Sequence, residues 1–377
     1  MSEVKKFDFV DALRGVAVLA VLLVHTGMLT SAQTGWAGEL IGQGAKGVQL
    51  FYVMSAFTLF LSLDRRNRGE AYPTTNFFIR RFFRIAPLFY VAVPFYLWKD
   101  GMGPRYWAPH GITAWHVVSV FTFTNGWHPE TINGIVSGGW SVAIEMMFYL
   151  VVPLCFAYVT TLRRAVALVA ASFVIGMGVS LATFIYLSPH YPPDQRYLVA
   201  SFASLFWLPA EVSVFCLGFV LFFVFKKIDP KNPRNVARGM RCIWTSAAVM
   251  LALAFIRLPA RHFAYGVAFV LLAYGLMLSS NRIIVNKFTC LVGKVSYSMY
   301  LVQFAAMAIL EKTVSAGVRE GKGLLVFLAF YGLFVIVTLL ISMATYRFIE
   351  QPGRLLGKKL IEKLEARALS GRTFIRA

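Results

Sequence analysis

A chain of 377 residues that is 58% apolar, 15% aromatic and only 14% charged has more hydrocarbon than one soluble core can hold. It reads as a protein that crosses a membrane many times. The formal charge of +20 does not point to nucleic acid, because the lysines and arginines fall in short clusters between apolar runs and form no continuous polar face.

Apolar stretches of about 20 residues predict about ten membrane helices, at residues 8–29, 46–63, 83–99, 141–160, 165–187, 205–225, 242–257, 262–280, 288–311 and 323–346. With the amino terminus inside, one side receives Lys5 and Lys6, the six arginines from Arg65 to Arg84, Arg163 and Arg164, the Lys226 to Arg241 cluster, Arg282, Lys287 and the tail from Arg347. The other side has few, such as Lys99, Arg105, Arg196, Arg257 and Lys312. This asymmetry predicts an all-α polytopic bundle with both termini cytoplasmic, a transmembrane domain over 1–350 and a basic cytoplasmic tail over 351–377. Cys155, Cys216, Cys242 and Cys290 all fall in or at the ends of predicted spans, which indicates neither a disulfide framework nor a zinc site. No metal is expected.

The first helix follows Lys5 and Lys6 like a signal peptide, but its apolar run contains Arg14 and no A-x-A-like cleavage site follows, so it reads as retained. Arg14 and His25 are eleven positions apart, which is three turns plus ~20°, so both project from one stripe ~16 Å apart. Ionisable groups inside a membrane normally face the bundle interior or a water-filled cavity and mark function. The plainer alternative is that Arg14 snorkels to the headgroups and His25 only hydrogen-bonds within the bundle.

Small residues from Gly42 to Gly47 lead into the second span, Gly47 to Phe57. Arg80, Arg81 and Arg84 then alternate with Phe77, Phe78, Phe82 and Phe83. A topological loop has no reason to prefer arginine over lysine, whereas bidentate recognition of phosphate does; topology with anionic headgroups is the alternative. The outer loop from Asp100 to Gly139 holds Trp107, Trp115, Trp127, His110, His116 and His128. Its tryptophans suit sugar rings and a membrane interface equally, and its histidines lack zinc-motif spacing. Glu145, one turn into the fourth span, is at a depth that predicts a meeting with His25. Pro209 and Glu211 place a kink and a weaker candidate carboxylate in the sixth span. Ser296, Tyr297 and Tyr300 offer hydroxyls for interhelical bonding, and Glu350 is expected to pair with one of the arginines at 80–84. Residues Leu355 to Leu369 form a basic amphipathic stretch suited to anionic lipid.

Taken together, Arg14 with ten residues before His25, the run from Gly47 to Phe57, Arg80-Arg81-Phe-Phe-Arg84-Ile, Trp140-Ser141-Val-Ala-Ile-Glu145, Ser296-Tyr297-Ser-Met-Tyr300-Leu301 and Tyr346-Arg-Phe-Ile-Glu350-Gln-Pro resemble the membrane-bound acyltransferase-3 family of bacterial O-acyltransferases. The resemblance covers roughly residues 7–354. It implies transfer of an acyl group, usually acetyl from cytoplasmic acetyl-CoA, to hydroxyls of a surface carbohydrate such as O-antigen, exopolysaccharide or peptidoglycan, in the bacterial inner membrane. It implies His25 as the essential histidine, Arg14, Arg80, Arg81 and Arg84 as the residues associated with the donor, and Glu145 as a further site residue, whose depth would let it orient the imidazole. The chain departs from the family pattern at Gln49, where an acid is common, and at Gln303, where a histidine is common. The short sequence after the tenth span is expected to make this the stand-alone form, without an added extracytoplasmic domain. Rival readings are a transporter or flippase, since ionisable residues also mark substrate paths, and a non-catalytic scaffold or sensor.

Overall fold

The computed structural model describes residues 7–30, 35–67, 69–279, 281–314 and 323–374. Lys5, Lys6 and Arg68 of the expected inner charge cluster lie outside the described residues. The helices are α1 (Asp8–Leu29), α2 (Gly35–Gly42), α3 (Gly47–Arg66), α4 (Pro73–Asp100), α5 (Ala114–Phe121), α6 (Gly139–Tyr158), α7 (Leu162–Leu187), α8 (Arg196–Ser204), α9 (Leu208–Lys226), α10 (Asn235–Phe255), α11 (Arg261–Leu278), α12 (Lys287–Lys294), α13 (Ser296–Thr313), α14 (Leu324–Thr345) and α15 (Gln351–Phe374). A short 3₁₀ turn, Gln43–Lys46, precedes α3, and a π turn, Tyr346–Glu350, joins α14 to α15. Among the described residues the only β-type pairing is an isolated bridge between Arg105 and Ala108. The protein is an all-α, multi-pass membrane bundle.

Eight helical segments among the described residues are long and apolar enough to cross a membrane, and they coincide with eight of the ten expected spans. The other two expected spans fall in α4 and in α12–α13, where the sequence is more polar. The helix of α4 runs 28 residues, from Pro73 at its first turn to Asp100, so the arginines at 80–84 stand within a helix that begins ten residues before the expected start at 83. The expected span 288–311 is broken at Val295, whose φ of −101° and ψ of 9° interrupt the ladder between α12 and α13. Asn286 caps α12 with a reciprocal bond to Thr289, which fixes where that short helix begins.

The chain divides into two compact units. The first comprises residues Met1–Phe57, Thr161–Gly176 and Glu211–Met343. Its centre is α1, whose Ala12, Leu13, Ala17, Val18 and Leu22 are fully buried. In lipid such burial gives little hydrophobic drive, because acyl tails are as apolar as leucine; association depends on close packing of small residues. Gly293 of α12 supplies it: a Cβ there would lie 1.7 Å from the Asp11 carbonyl oxygen of α1. Gly218 of α9 likewise meets the Val53 carbonyl of α3, where a Cβ would stand 2.4 Å away, and the Tyr52 and Phe215 rings stack beside it at 4.1 Å.

The second unit comprises Thr58–Thr160, Met177–Ala210 and Ala344–Ala377. Here α4 packs against α6 through Phe77 and Tyr149, whose rings meet edge to face at 6.2 Å. The outer loop is built on aromatics: Trp107 packs on Phe206 at 5.2 Å and Phe206 stacks on Trp140 at 4.3 Å, while Tyr106 and Trp127 remain exposed. The described part of the predicted basic tail is one helix, α15, with a face seated on α4 in this unit.

Candidate active site

In the first unit His25 sits half-buried near the end of α1. Its Nδ1 lies 2.9 Å from Oε1 of Gln303 on α13. The Gln303 amide cannot be turned the other way without loss, because its Nε2 donates to the Tyr300 carbonyl at 3.0 Å. The amide oxygen therefore faces the imidazole, Nδ1 carries the proton and donates, and Nε2 of the neutral ring keeps its lone pair. The Phe304 ring, 4.6 Å from the imidazole, restrains its plane. α1 is unbroken between Arg14 and His25, so the expected common stripe and ~16 Å separation follow.

Gln303 is where the sequence departs from the family pattern, and it is the residue that orients the imidazole. Gln49 is the second departure. Its Nε2 donates at 2.7 Å to Oε1 of Glu211, whose carboxyl group has no exposed surface.

In the second unit Glu145 of α6 accepts a hydrogen bond from the Tyr149 hydroxyl at 2.5 Å. The Arg81 guanidinium stands 5.9 Å from the Tyr149 ring centroid and 5.9 Å from that of Phe77, and it is attracted by the Glu145 charge. Because α4 begins at Pro73, Arg81 is ~12 Å along it and reaches Tyr149 instead of lying at the helix mouth. His25 lies in the first unit, where Gln303 is a partner of the imidazole, and Glu145 lies in the second, where Tyr149 is a partner of the carboxylate. Tyr149 carried a legible signal, since it is four residues after Glu145 on one helical face.

Arg80, Arg81 and Arg84 do come together. They line a cavity of about 720 Å³ whose other cations are Arg66, Arg354 and Lys358, with Glu362 the one carboxylate among its lining residues. Arg80 forks onto Glu70, Nη1 to Oε1 at 2.8 Å and Nη2 to Oε2 at 2.9 Å. Burial by itself raises Glu70, but hydrogen bonds from Arg80, Asn76 and Arg66 outweigh it and hold the carboxyl below its ordinary value. Glu350 is buried and pairs with Arg354 at 3.7 Å. A set of guanidinium forks converging on one hollow is the donor chemistry that takes phosphate.

The outer-loop histidines have structural surroundings. His116 is buried, and its Nδ1 accepts from the Thr113 backbone N–H at 3.3 Å. The His128 ring meets Trp115 edge-on at 4.8 Å. Burial lowers both histidines against the opposing pull of Glu130.

A family model described as an acyltransferase domain matches residues 7–347, nearly the whole chain. The chain belongs to the acyltransferase-3 family. Within this family the chain is similar to a peptidoglycan O-acetyltransferase, OatA, of Listeria monocytogenes, 25% identical over 92% of this chain and 55% of that protein. It is also similar to the O-acetyltransferase OatA of Staphylococcus aureus, 21% identical over 93% of this chain and 57% of the relative. A shorter likeness, 30% identical over 40% of this chain and 34% of the relative, is to a regulator of hypoxia-inducible factor 1 of Caenorhabditis elegans. The chain spans little more than half the length of the two bacterial relatives. No solved structure matches it.

Proposed function

We propose that this acyltransferase-family chain moves an acyl group, acetyl in the first instance, from cytoplasmic acyl-CoA to a hydroxyl of a cell-surface or secreted carbohydrate. In this reading it resides in the bacterial inner membrane with about ten spans and both termini cytoplasmic. The observation that carries the proposal is the imidazole of His25: Gln303 holds the Nδ1 proton and so leaves Nε2 as the free base.

In the proposed reaction the acceptor oxygen attacks the thioester carbonyl carbon while Nε2 of His25 takes the hydroxyl proton. The C–O bond forms and the C–S bond breaks. The departing thiolate then takes the proton back from the imidazolium, which regenerates the neutral ring. Throughout, the Nδ1–H bond to Gln303 keeps the ring in register and strengthens as charge develops on it. Arg80, Arg81 and Arg84 are assigned to the donor's phosphates; Arg14 on α1 is assigned to the donor on the family resemblance alone. The fit of the first three rests on the cavity that they line and on the guanidinium chemistry they share. Glu145, through Tyr149, acts in this scheme as a positioning residue for Arg81.

The test is the purified full-length chain in nanodiscs with acetyl-labelled CoA and a glycan acceptor. Label should move to glycan with the parent and stay on CoA with His25→Ala. Label held on the protein in a hydroxylamine-sensitive form would replace the general base by an acyl-imidazole. Glycan flux without label transfer would make the chain a transporter.

A further inference from the structure

The arginine cavity has a wall that the family match does not include. Arg354 and Lys358 belong to α15, beyond residue 347, where that match ends. Two glycines seat the helix: a Cβ on Gly353 would lie 2.5 Å from the Pro87 side chain, and one on Gly357 would lie 2.7 Å from that of Phe83, both on α4. Arg354 and Lys358 each follow one of these glycines, so the contact that fixes α15 on α4 also fixes both cations in the cavity lining. Farther along, Glu365 accepts from the Ala71 N–H at 2.8 Å and from Asn76 Nδ2 at 2.6 Å, which ties α15 to the start of α4. At the near end the π turn Tyr346–Glu350 sets the direction of α15, and Tyr346 itself lines the cavity.

This wall adds two cations to the lining. Arg66, Arg80, Arg81, Arg84, Arg354 and Lys358 share one hollow with the single carboxylate Glu362 in its lining. The counter-charges within the protein are fewer than the cations: Glu70 forks onto Arg80 and pairs with Arg66 at 3.4 Å, Glu145 attracts Arg81, Glu350 is 3.7 Å from Arg354, and Glu362 is 3.6 Å from Lys358. Arg81 Nε is buried with no hydrogen-bond partner. The six cations against these four carboxylates leave the hollow net positive, which favours an incoming anion. A volume of about 720 Å³ exceeds one phosphate and suits a whole ligand head.

We infer that Arg354 and Lys358 of the C-terminal helix, with Arg66, complete a binding site for a nucleotide carrying a diphosphate and one further phosphate. The identity of that nucleotide as CoA rests on the donor proposed above. The three arginines of α4 hold part of the phosphate charge, and α15 holds the remainder. Glu362 is the internal counter-ion that an incoming phosphate oxygen replaces at Lys358.

The test uses the full-length protein in nanodiscs of zwitterionic phosphatidylcholine, titrated calorimetrically with CoA and with dephospho-CoA, which lacks the 3′-phosphate. The parent should bind CoA more tightly than dephospho-CoA. Arg354→Gln and Lys358→Gln should each weaken CoA about tenfold or more, as loss of a charge-assisted bond does, and Arg354→Lys should recover part of it. Thermal unfolding of each variant confirms that it is folded, and the Arg354→Lys comparison keeps the test decisive if glutamine disturbs the helix. CoA binding of parental strength in both glutamine variants overturns the inference and leaves the donor proposal standing. A parent that ignores CoA, but whose binding to cardiolipin vesicles depends on Arg354 and Lys358, makes the phosphates those of lipid headgroups and overturns both.

Discussion

Replacing Gln303 by leucine removes the acceptor from beside His25 while nearly conserving volume at a site with no exposed surface. Two hydrogen bonds disappear: Nδ1 of His25 loses its partner at 2.9 Å, and the Tyr300 carbonyl loses the Gln303 amide at 3.0 Å. A part-buried imidazole N–H left without a partner costs about 1–3 kcal/mol. Where that cost falls on the ring orientation needed in the transition state, it lowers kcat by roughly 5- to 140-fold at about 1.4 kcal/mol per decade. Gln303 is not among the residues assigned to the donor's phosphates, so KM for acyl-CoA should stay near the parent's. The assay is initial-rate transfer in nanodiscs over a range of donor concentrations. Gln303→His, which restores a ring nitrogen as acceptor, should regain part of kcat. A leucine variant with kcat within about twofold of the parent would refute the orientation of His25 by Gln303.

Other consequences follow from single contacts. Tyr149→Phe removes the hydroxyl that Glu145 accepts, a bond to a charged group worth about 1.5–3 kcal/mol, and should lower the thermal midpoint by several degrees. Combined with Glu145→Ala the losses should be less than additive, because both delete one bond; full additivity would separate the two residues. Gly293→Ala places a methyl 1.7 Å from the Asp11 carbonyl, forces α1 away from α12, and should cost upwards of about 1–3 kcal/mol in thermal stability, with unchanged stability showing that the two helices do not pack there. The Glu70 carboxyl is held below its ordinary value in the folded protein, so its contribution is full above the unfolded value and is lost as pH falls through the folded one. A thermal midpoint measured from neutral to acid pH should therefore fall less steeply for Glu70→Gln than for the parent, and identical slopes would count against the Arg80–Glu70 fork as a stabilising contact.

Composition and hydropathy are sufficient to determine the architecture, because water-excluded backbone has no alternative to helix unless it closes a barrel. The limits of α1 match the expected span of 8–29, and the stripe shared by Arg14 and His25 follows from helical arithmetic alone. The convergence of Arg80, Arg81 and Arg84 is also legible, in a spacing that puts two of them on one face. Hydropathy could not locate the start of α4, since arginines inside a helix look like a loop to any apolar window. Ten additional helical residues carry Arg81 to Tyr149 and Glu145.

Partnership across helices is what only the tertiary structure decided. Gln303 lies 278 positions from His25, and no local pattern distinguishes an amide that orients a base from one that merely satisfies a neighbouring carbonyl. Arg354 and Lys358 read as part of a basic tail suited to anionic lipid until Gly353 and Gly357 are seen to seat that helix on α4. The physical reason is common to both cases: periodicity records which residues share a face, whereas the identity of the opposing face is set by close packing between segments far apart in the chain.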